Sequence, residues 1–264
     1  MFYSLTSLSQ LRVNQSAIGG SGGGFSNVFS LDFDGVSSHL DVSDPYTTID
    51  ARNTFSISCW IKIPSGGGGG VVGKNHTSSY NAKRFTFTAS ETRIEINTNS
   101  IAFRSATLSL SVDTWHSIII SIDRGRATQS DRCRVYLNGS PLTNALSSNF
   151  AQVTADASPL TIGTLTRGTS SPVILSPFEG SIDELAVWQT PLTLGNVTDI
   201  YNSGTPNDLS GLGIINLVNW YRMGDAATFD AGTATWSLVD QGSGGNNGTT
   251  VSMPEAARQT DTPT

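Results

Sequence analysis

The chain is poor in charge, sulfur and imidazole. Of its 264 residues, 14% are charged, two are cysteine and three are histidine. Cys59 and Cys133 make no disulfide framework for a chain of this length and lack metal-site spacing. Each lies on the apolar side of a strand pattern, beside Ile57 and Ile61 or Val135 and Leu137, so buried free thiols are expected. His39, His76 and His116 are far apart, without HExxH-type spacing, and read as strand or loop residues. The one GxSxG match, Gly19 to Gly23, lies in a Gly-rich linker and not on a strand-to-helix turn, so nucleophilic hydrolysis has no visible apparatus. No apolar run approaches the ~20 residues that cross a bilayer, and no membrane partner is expected. The opening MFYSLTSLSQLRV lacks the basic start and continuous apolar core of a secretory leader.

Positive charge is scarce too. Fifteen Lys and Arg face 21 Asp and Glu, for a net charge of -6. Nucleic-acid binding displaces counterions with clustered cations, and no basic stripe exists here. The densest positive stretch, Arg124 to Arg134, is interrupted by Asp131 and preceded by Asp123, as on a solvated hairpin rim. The run Gly66 to Gly70 lacks GxxxxGK[ST] and is followed by no amphipathic helix; it reads as a loop before a strand at Val71 to Lys74, not as a phosphate cradle. Matches to N-x-[ST] at Asn14, Asn75, Asn138, Asn196 and Asn247 are expected by chance in so Asn-, Ser- and Thr-rich a chain.

Abundant glycine (27 residues), Ser and Thr with few helix formers favour many short strands joined by turns, hence an all-β fold. Three parts are expected. Residues 1–24 are an arm carrying Phe2, Leu5, Leu8, Leu11 and Val13 and ending in a Gly-rich linker; it either docks on a neighbouring subunit or frays. Residues 25–204 are the main domain. Residues 205–264 are a C-terminal extension, partly β, with strand fragments at 217–223, 236–240 and 249–253.

In the main domain, Phe29, Leu31 and Phe33 alternate with polar residues before the Asp34-Gly35 turn, and His39 to Val42 returns. FSISCWIKI (55–63) turns Phe55, Ile57, Cys59, Ile61 and Ile63 inward and Trp60 and Lys62 outward. WHSIIISID (115–123) is apolar on both faces and should be central in its sheet, and Asn138-Gly139 marks a hairpin. The whole is arranged about FEGSIDELAVW (178–188), whose alternation puts Phe178, Ile182, Ala186 and Trp188 on one face and Leu185 and Val187 on the other. A short helix follows, with Thr193 as N-cap, Leu194, Val197, Ile200 and Tyr201 at helical spacing, Gly204 as terminal glycine, and Pro206 forbidding continuation.

A glycosidase needs two carboxylates across the scissile bond. Glu179 and Asp183 share a strand face but lie about 13 Å apart at ~3.3 Å per residue, too far for either mechanism. Asp32 and Asp34, about 6.6 Å apart, match an inverting pair in spacing alone. Exposed beside a turn, they gain no raised pKa from burial, so no catalytic residue is expected. Outward aromatics are the sugar cue: Trp60 and Tyr80 are the candidates, and cover by a second layer or the N-terminal segment is the competing reading for Trp60.

FSLDFDGVSSHLDV, FSISCWIKI, WHSIIISID, VYLNG, LTIG and FEGSIDELAVW, in that order over about 28–202, resemble the concanavalin A-like laminin G (LamG) jelly-roll family. The resemblance implies a jelly-roll β-sandwich with one short C-terminal helix, an architecture that hosts lectins, adhesion modules, glycanases and structural modules. It also implies a structural Ca²⁺ near the meeting of first and last strands, at Asp34, the Gly35 carbonyl and Asp183; a type I turn or a surface hydrogen bond is the competing reading of the same aspartates. LVNWYRMGD followed by DQGSGGNNGT is similar to the extension of LamG-type virion proteins of marine bacteriophages. That likeness implies a non-enzymatic virion-surface component, with other virion subunits as partners through the arm and the extension in an oligomer or larger assembly. The alternatives are an extracellular or cell-surface adhesin for host glycans and, further off, a glycan hydrolase.

Overall fold

The computed structural model describes residues 25–42, 49, 52–74, 85–98, 100–143, 159–167 and 173–264. The expected arm 1–24, His76 and Tyr80 lie outside them, as do the motif positions Asn14 and Asn75. In chain order the strands are β1 (Ser30–Asp34), β2 (His39–Val42), β3 (Thr54–Lys62), β4 (Gly68–Lys74), β5 (Phe85–Ser90), β6 (Arg93–Thr98) and β7 (Ser100–Arg104). There follow β8 (Trp115–Asp123), β9 (Cys133–Leu137), β10 (Ser140–Pro141), β11 (Leu160–Ile162), the small hairpin β12 (Thr166–Arg167) and β13 (Val173–Ile174), and β14 (Glu179–Trp188). Helix α1 (Leu194–Tyr201) precedes β15 (Leu217–Tyr221), β16 (Ala227–Asp230), β17 (Thr235–Leu238), β18 (Gly248–Val251) and β19 (Arg258–Gln259).

The antiparallel pairings form a sandwich. One sheet runs β14–β3–β8–β9–β10. The other flank of β14 is shared, β1 taking Glu179 to Ile182 and β15 taking Leu185 to Trp188. β19 extends β1. The second sheet runs β7–β6–β5–β4–β11–β2–β18–β17–β16 and meets the first where Glu179 stands opposite Gly68. β8 is central, as its two apolar faces require. Strands from 205–264 enter both sheets.

Between the sheets lies the main core, with Phe33, Phe55, Phe85, Phe87, Ile57, Ile61 and Ile120 among its buried members. Phe55 and Phe85 meet edge to face at 5.5 Å. Cys59 and Cys133 sit in this core as free thiols, as expected, and burial pushes both thiol pKa values up. A second cluster packs α1 onto the outer side of the first sheet: Val197 and Ile200 lie with Leu192 against Ile119, Tyr136, Ala186, Trp188 and Trp220. The helix starts with a capping box, Asn196 N–H donating to Thr193 Oγ1 at 3.2 Å and Thr193 N–H to Asn196 Oδ1 at 3.0 Å. It closes on Asn202 at φ 45°, two residues before the expected Gly204, because Asn also tolerates the left-handed conformation.

Two strands differ from the alternation in the sequence. On β14, Leu185 and Val187 join Phe178 and Ile182 in the main core, whereas Ala186 and Trp188 face the helix. The cause is a register shift against β3 between Asp183 and Ala186, where Glu184 takes φ 47° and adds one residue to the strand. The expected loop of five glycines is also partly strand, since Gly68 to Gly70 pair with β5. At Gly69, φ is 140° and a Cβ would lie 2.2 Å from Pro177 O, so the chain there passes too close for any side chain.

The outer face of β14 and its neighbours is therefore divided along its length. Helix α1 covers the Ala186–Trp188 end, residues 25–29 cover the middle, and the Glu179 end is open.

Candidate functional site

At the open end, alternation sends Leu31, Phe33, Ile61 and Ile182 into the core and Asp32, Asp34, Lys62, Glu179 and Ser181 outward. The register sets them in rows: Asp32, Ser181 and Lys62 across one rung, Asp34 and Glu179 across the next. They line an open cleft of about 450 Å³ with Asp113, Gln259 and Asp261. Among the described residues, five carboxylates thus share the lining with a single ammonium, Lys62.

Each carboxylate is held differently. Asp34 Oδ1 accepts from Val36 N–H, Ser37 N–H and Ser38 N–H, each at 2.9 Å, and from Ser38 Oγ at 2.8 Å. Partial burial alone would raise its pKa, but these donors together bring it down to about 2. The turn needs Gly35, which sits at φ 67° and whose Cβ would come within 2.8 Å of Glu179 Cβ. Asp32 Oδ1 accepts from Ser181 Oγ at 3.1 Å.

Asp261 arrives from the other end of the chain. Gln259 pairs with Ser30, and Ser30 Oγ donates to Asp261 O at 2.7 Å. The Asp261 carboxylate forms an ion pair with Lys62 Nζ and accepts from Trp115 Nε1 at 3.2 Å. Its pKa is lowered, first by the Lys62 hydrogen bond and further by Trp115. Lys62 Nζ also lies 5.6 Å from the centre of the half-buried Trp115 ring. The cleft therefore offers carboxylate acceptors for hydroxyl donors, with the Trp115 indole held beside Lys62 and Asp261 at its edge.

The carboxylates with raised pKa values lie elsewhere. Asp183 and Glu184, at the β14 bulge, are 0% and 3% exposed. Asn27 Nδ2 donates to Asp183 Oδ2 at 2.8 Å and Glu184 N–H to Asp183 Oδ1 at 2.8 Å. Glu184 accepts from Trp220 Nε1 at 2.5 Å and from Arg222 Nε at 3.1 Å. Arg222 also reaches Ser26 O and Asp225, and its guanidinium lies 4.4 Å from the Phe25 ring centre. Burial, with the neighbouring Glu184 charge, holds the Asp183 pKa well above the usual carboxylate range. Burial raises Glu184 to about 7 against the opposing pull of Arg222. This cluster anchors residues 25–29 on the sheet.

The calcium ligands expected at Asp34, Gly35 and Asp183 are not brought together. Asp34 stands opposite Glu179, four residues from Asp183 and so about 13 Å away along the strand. Asp34 Oδ1 already takes four donors, and Asp183 is enclosed by Asn27 and the bulge. Among the described residues no group of three or more His, Cys, Asp or Glu could hold a metal ion. Those residues do not fit the ion.

Trp60, expected to face outward, does so, but beneath the helix: it is 4% exposed and its ring stacks on Tyr201 at 5.9 Å. Its faces are not offered to a sugar, which corrects the sequence expectation in favour of the covered alternative. Tyr80 lies outside the described residues. His39 and His116 bond to the backbone carbonyls of Ser37 and Ser111. Sequence reasoning missed Lys62, Glu179, Trp115, Asp113 and Asp261 as one site. Alternation placed Lys62 outward, but nothing local connects Asp261 with Trp115, 146 residues away.

A family model described as the concanavalin A-like lectin/glucanases superfamily (Laminin_G_3) matches residues 34–198. No curated protein sequence matches the chain. Among solved structures, a candidate carbohydrate binding protein from Bacteroides ovatus aligns at TM-score 0.63 and 16% identity, over 90% of this chain and 62% of its own. The chain thus spans less than two thirds of that protein. A native heptameric SAP-like pentraxin from Limulus polyphemus aligns at TM-score 0.51 and 17% identity, over 66% of this chain and 82% of its own. Trypanosoma rangeli sialidase in complex with sialic acid aligns at TM-score 0.46 and 15% identity, over 65% of this chain and 27% of its own.

Proposed function

Because the chain belongs to the concanavalin A-like lectin/glucanases superfamily, we propose that it is a non-enzymatic carbohydrate-binding module whose saccharide site is the cleft over β1, β14 and β3. The observation that carries this reading is the pairing of outward carboxylate acceptors with an indole at the cleft's edge. Sugar hydroxyls donate to the former, and pyranose C–H groups stack on the latter. Binding without hydrolysis is favoured because a general acid needs a raised pKa. In the cleft, Asp34 and Asp261 are lowered instead. The raised pair, Asp183 and Glu184, consists of chain neighbours buried beside residues 25–29, with no room for a glycosidic bond between them.

In this reading the module is displayed on a virion surface. Contacts with other particle subunits fall to residues 1–24 and to the outer surface of 205–264, whose strands β15, β18 and β19 pair within the sandwich. A glycan array followed by calorimetry tests the binding function. Retention of a saccharide by the full chain and at least tenfold weaker binding by Trp115→Ala, with the melting temperature kept, is the expected result. Retention of no saccharide, or unchanged affinity in Trp115→Ala, overturns it. Presence of the chain in purified particles tests the display.

A further inference from the structure

We propose that Asp261 sets the ligand class of the cleft: by engaging Lys62 and Trp115 together it makes the cleft a receptor for uncharged saccharides, and removing its charge turns the same cleft toward saccharides that bear a carboxylate. This rests on the reading of the cleft as a saccharide site.

Lys62 is the one cationic side chain among the described residues lining the cleft, and an acidic sugar would have to be met by it. It is already taken. Asp261 Oδ2 lies on Lys62 Nζ, and Asp261 Oδ1 accepts the Trp115 indole N–H at 3.2 Å. One carboxylate of the chain itself thus occupies the ammonium and the indole donor as the carboxylate of a uronic acid would. What remains facing the cleft is Asp32, Asp34, Asp113 and Glu179, whose carboxylates accept from hydroxyl groups and repel an incoming anion. The lowered pKa of Asp261 keeps its charge in place at neutral pH.

Asp261 also fixes the ring. With the indole N–H held by Asp261 and the ammonium over the ring, Trp115 is restrained in orientation as well as position. Neither effect depends on the side chain being needed for the fold. The segment is tethered by the β19–β1 pairing, by Ser30 Oγ on the Asp261 carbonyl at 2.7 Å and by Thr262 Oγ1 on Asn27 O at 3.2 Å. A side-chain variant leaves all three intact. Asp261→Asn keeps an acceptor for Trp115 while releasing Lys62; Asp261→Ala removes both contacts.

The test measures binding of the full chain and both variants to oligomers of glucose and galactose and to the same backbones oxidised to carboxylate at C6. For the wild type, the neutral oligomer binds better than its oxidised counterpart. In Asp261→Asn the ratio of neutral to oxidised affinity falls at least tenfold, and in Asp261→Ala the neutral oligomer is weakened as well. A wild type that prefers the oxidised oligomer, or an Asp261→Asn protein with the wild-type ratio, overturns the proposal while leaving the saccharide site standing. Failure of every oligomer to bind wild type and variants alike overturns the saccharide site and this proposal with it.

Discussion

Asp183 and Glu184 are consecutive residues of one strand, and both side chains are buried on its outer side, because Glu184 at φ 47° turns the chain through a bulge instead of letting the next residue face the core. Two carboxyl groups are thereby placed beside each other, Glu184 paired with the Arg222 guanidinium and Asp183 held by the Asn27 amide. The arrangement makes stability depend on pH in a definite direction.

Glu184 has an ordinary pKa of 4.5 and a folded value of about 7. Its folded form binds the proton more tightly than the unfolded chain does. The favourable contribution is therefore complete below about pH 4.5 and is lost as pH rises through about 7, and Asp183 acts in the same sense. The loss for Glu184 is on the order of 3 kcal/mol. Thermal unfolding between pH 5 and 8 should show a falling melting temperature, and Glu184→Gln should flatten that fall. An equally steep fall in the variant rejects Glu184 as its source. Because this cluster holds Ser26 and Asn27, Trp220 fluorescence should report loosening of the segment over the same range.

Asp34 works in the opposite sense. Its folded pKa of about 2 lies below the ordinary 3.8, so its contribution is present above pH 3.8 and disappears as pH falls through 2. Asp34→Ala removes the acceptor of three backbone N–H groups and one hydroxyl. It should cost about 1–2 kcal/mol at pH 7. Denaturant titrations at pH 7, 4 and 2 should show the gap from wild type closing in acid. A gap that stays constant would mean the lost contacts do not depend on the charge.

Trp60 faces outward in sequence pattern but lies under the helix. With its ring stacked on Tyr201 and 4% exposed, Trp60→Ala should destabilise the fold. The cost should be about 3–5 kcal/mol, as for large-to-small changes in a packed interior. Saccharide affinity of the folded fraction should be unchanged. Lost affinity with undiminished stability would return Trp60 to the binding site.

These residues also show what the sequence makes legible. Strict alternation in 55–63 and the two-faced apolar pattern of 115–123 define β3 and β8 directly, and the capping pair Thr193 and Asn196 fixes the start of α1. Alternation failed on β14 because a single residue at positive φ shifts the phase, and Glu is an unexpected occupant of that conformation. β16 reads as loop because its Ala227 and Thr228 carry little strand signal, and it forms by pairing with β17. The cleft was half visible. Asp32 and Asp34 stand out by spacing, whereas Asp261 belongs to the site only because the last strand returns to β1.

That return bears on where the folding unit ends. Tyr221, Met223, Trp236, Leu238 and Met253 all lie beyond Gly204, and each is no more than 1% exposed within the main core. β15 supplies the hydrogen-bond partner for Leu185 to Trp188, and β18 supplies one for the whole of β2. A chain ended at Gly204 would expose these strand edges and open cavities where five large side chains had been, each worth about 2–5 kcal/mol on removal. The sum, about 10–25 kcal/mol, matches or exceeds the ~5–15 kcal/mol that holds a typical domain together. The truncated chain should therefore be insoluble or unfolded by circular dichroism. The chain begun at Phe25 and continued to Thr264 should fold with a cooperative transition. If residues 25–204 alone gave a sharp unfolding transition, 205–264 would be an appendage and not part of the sandwich.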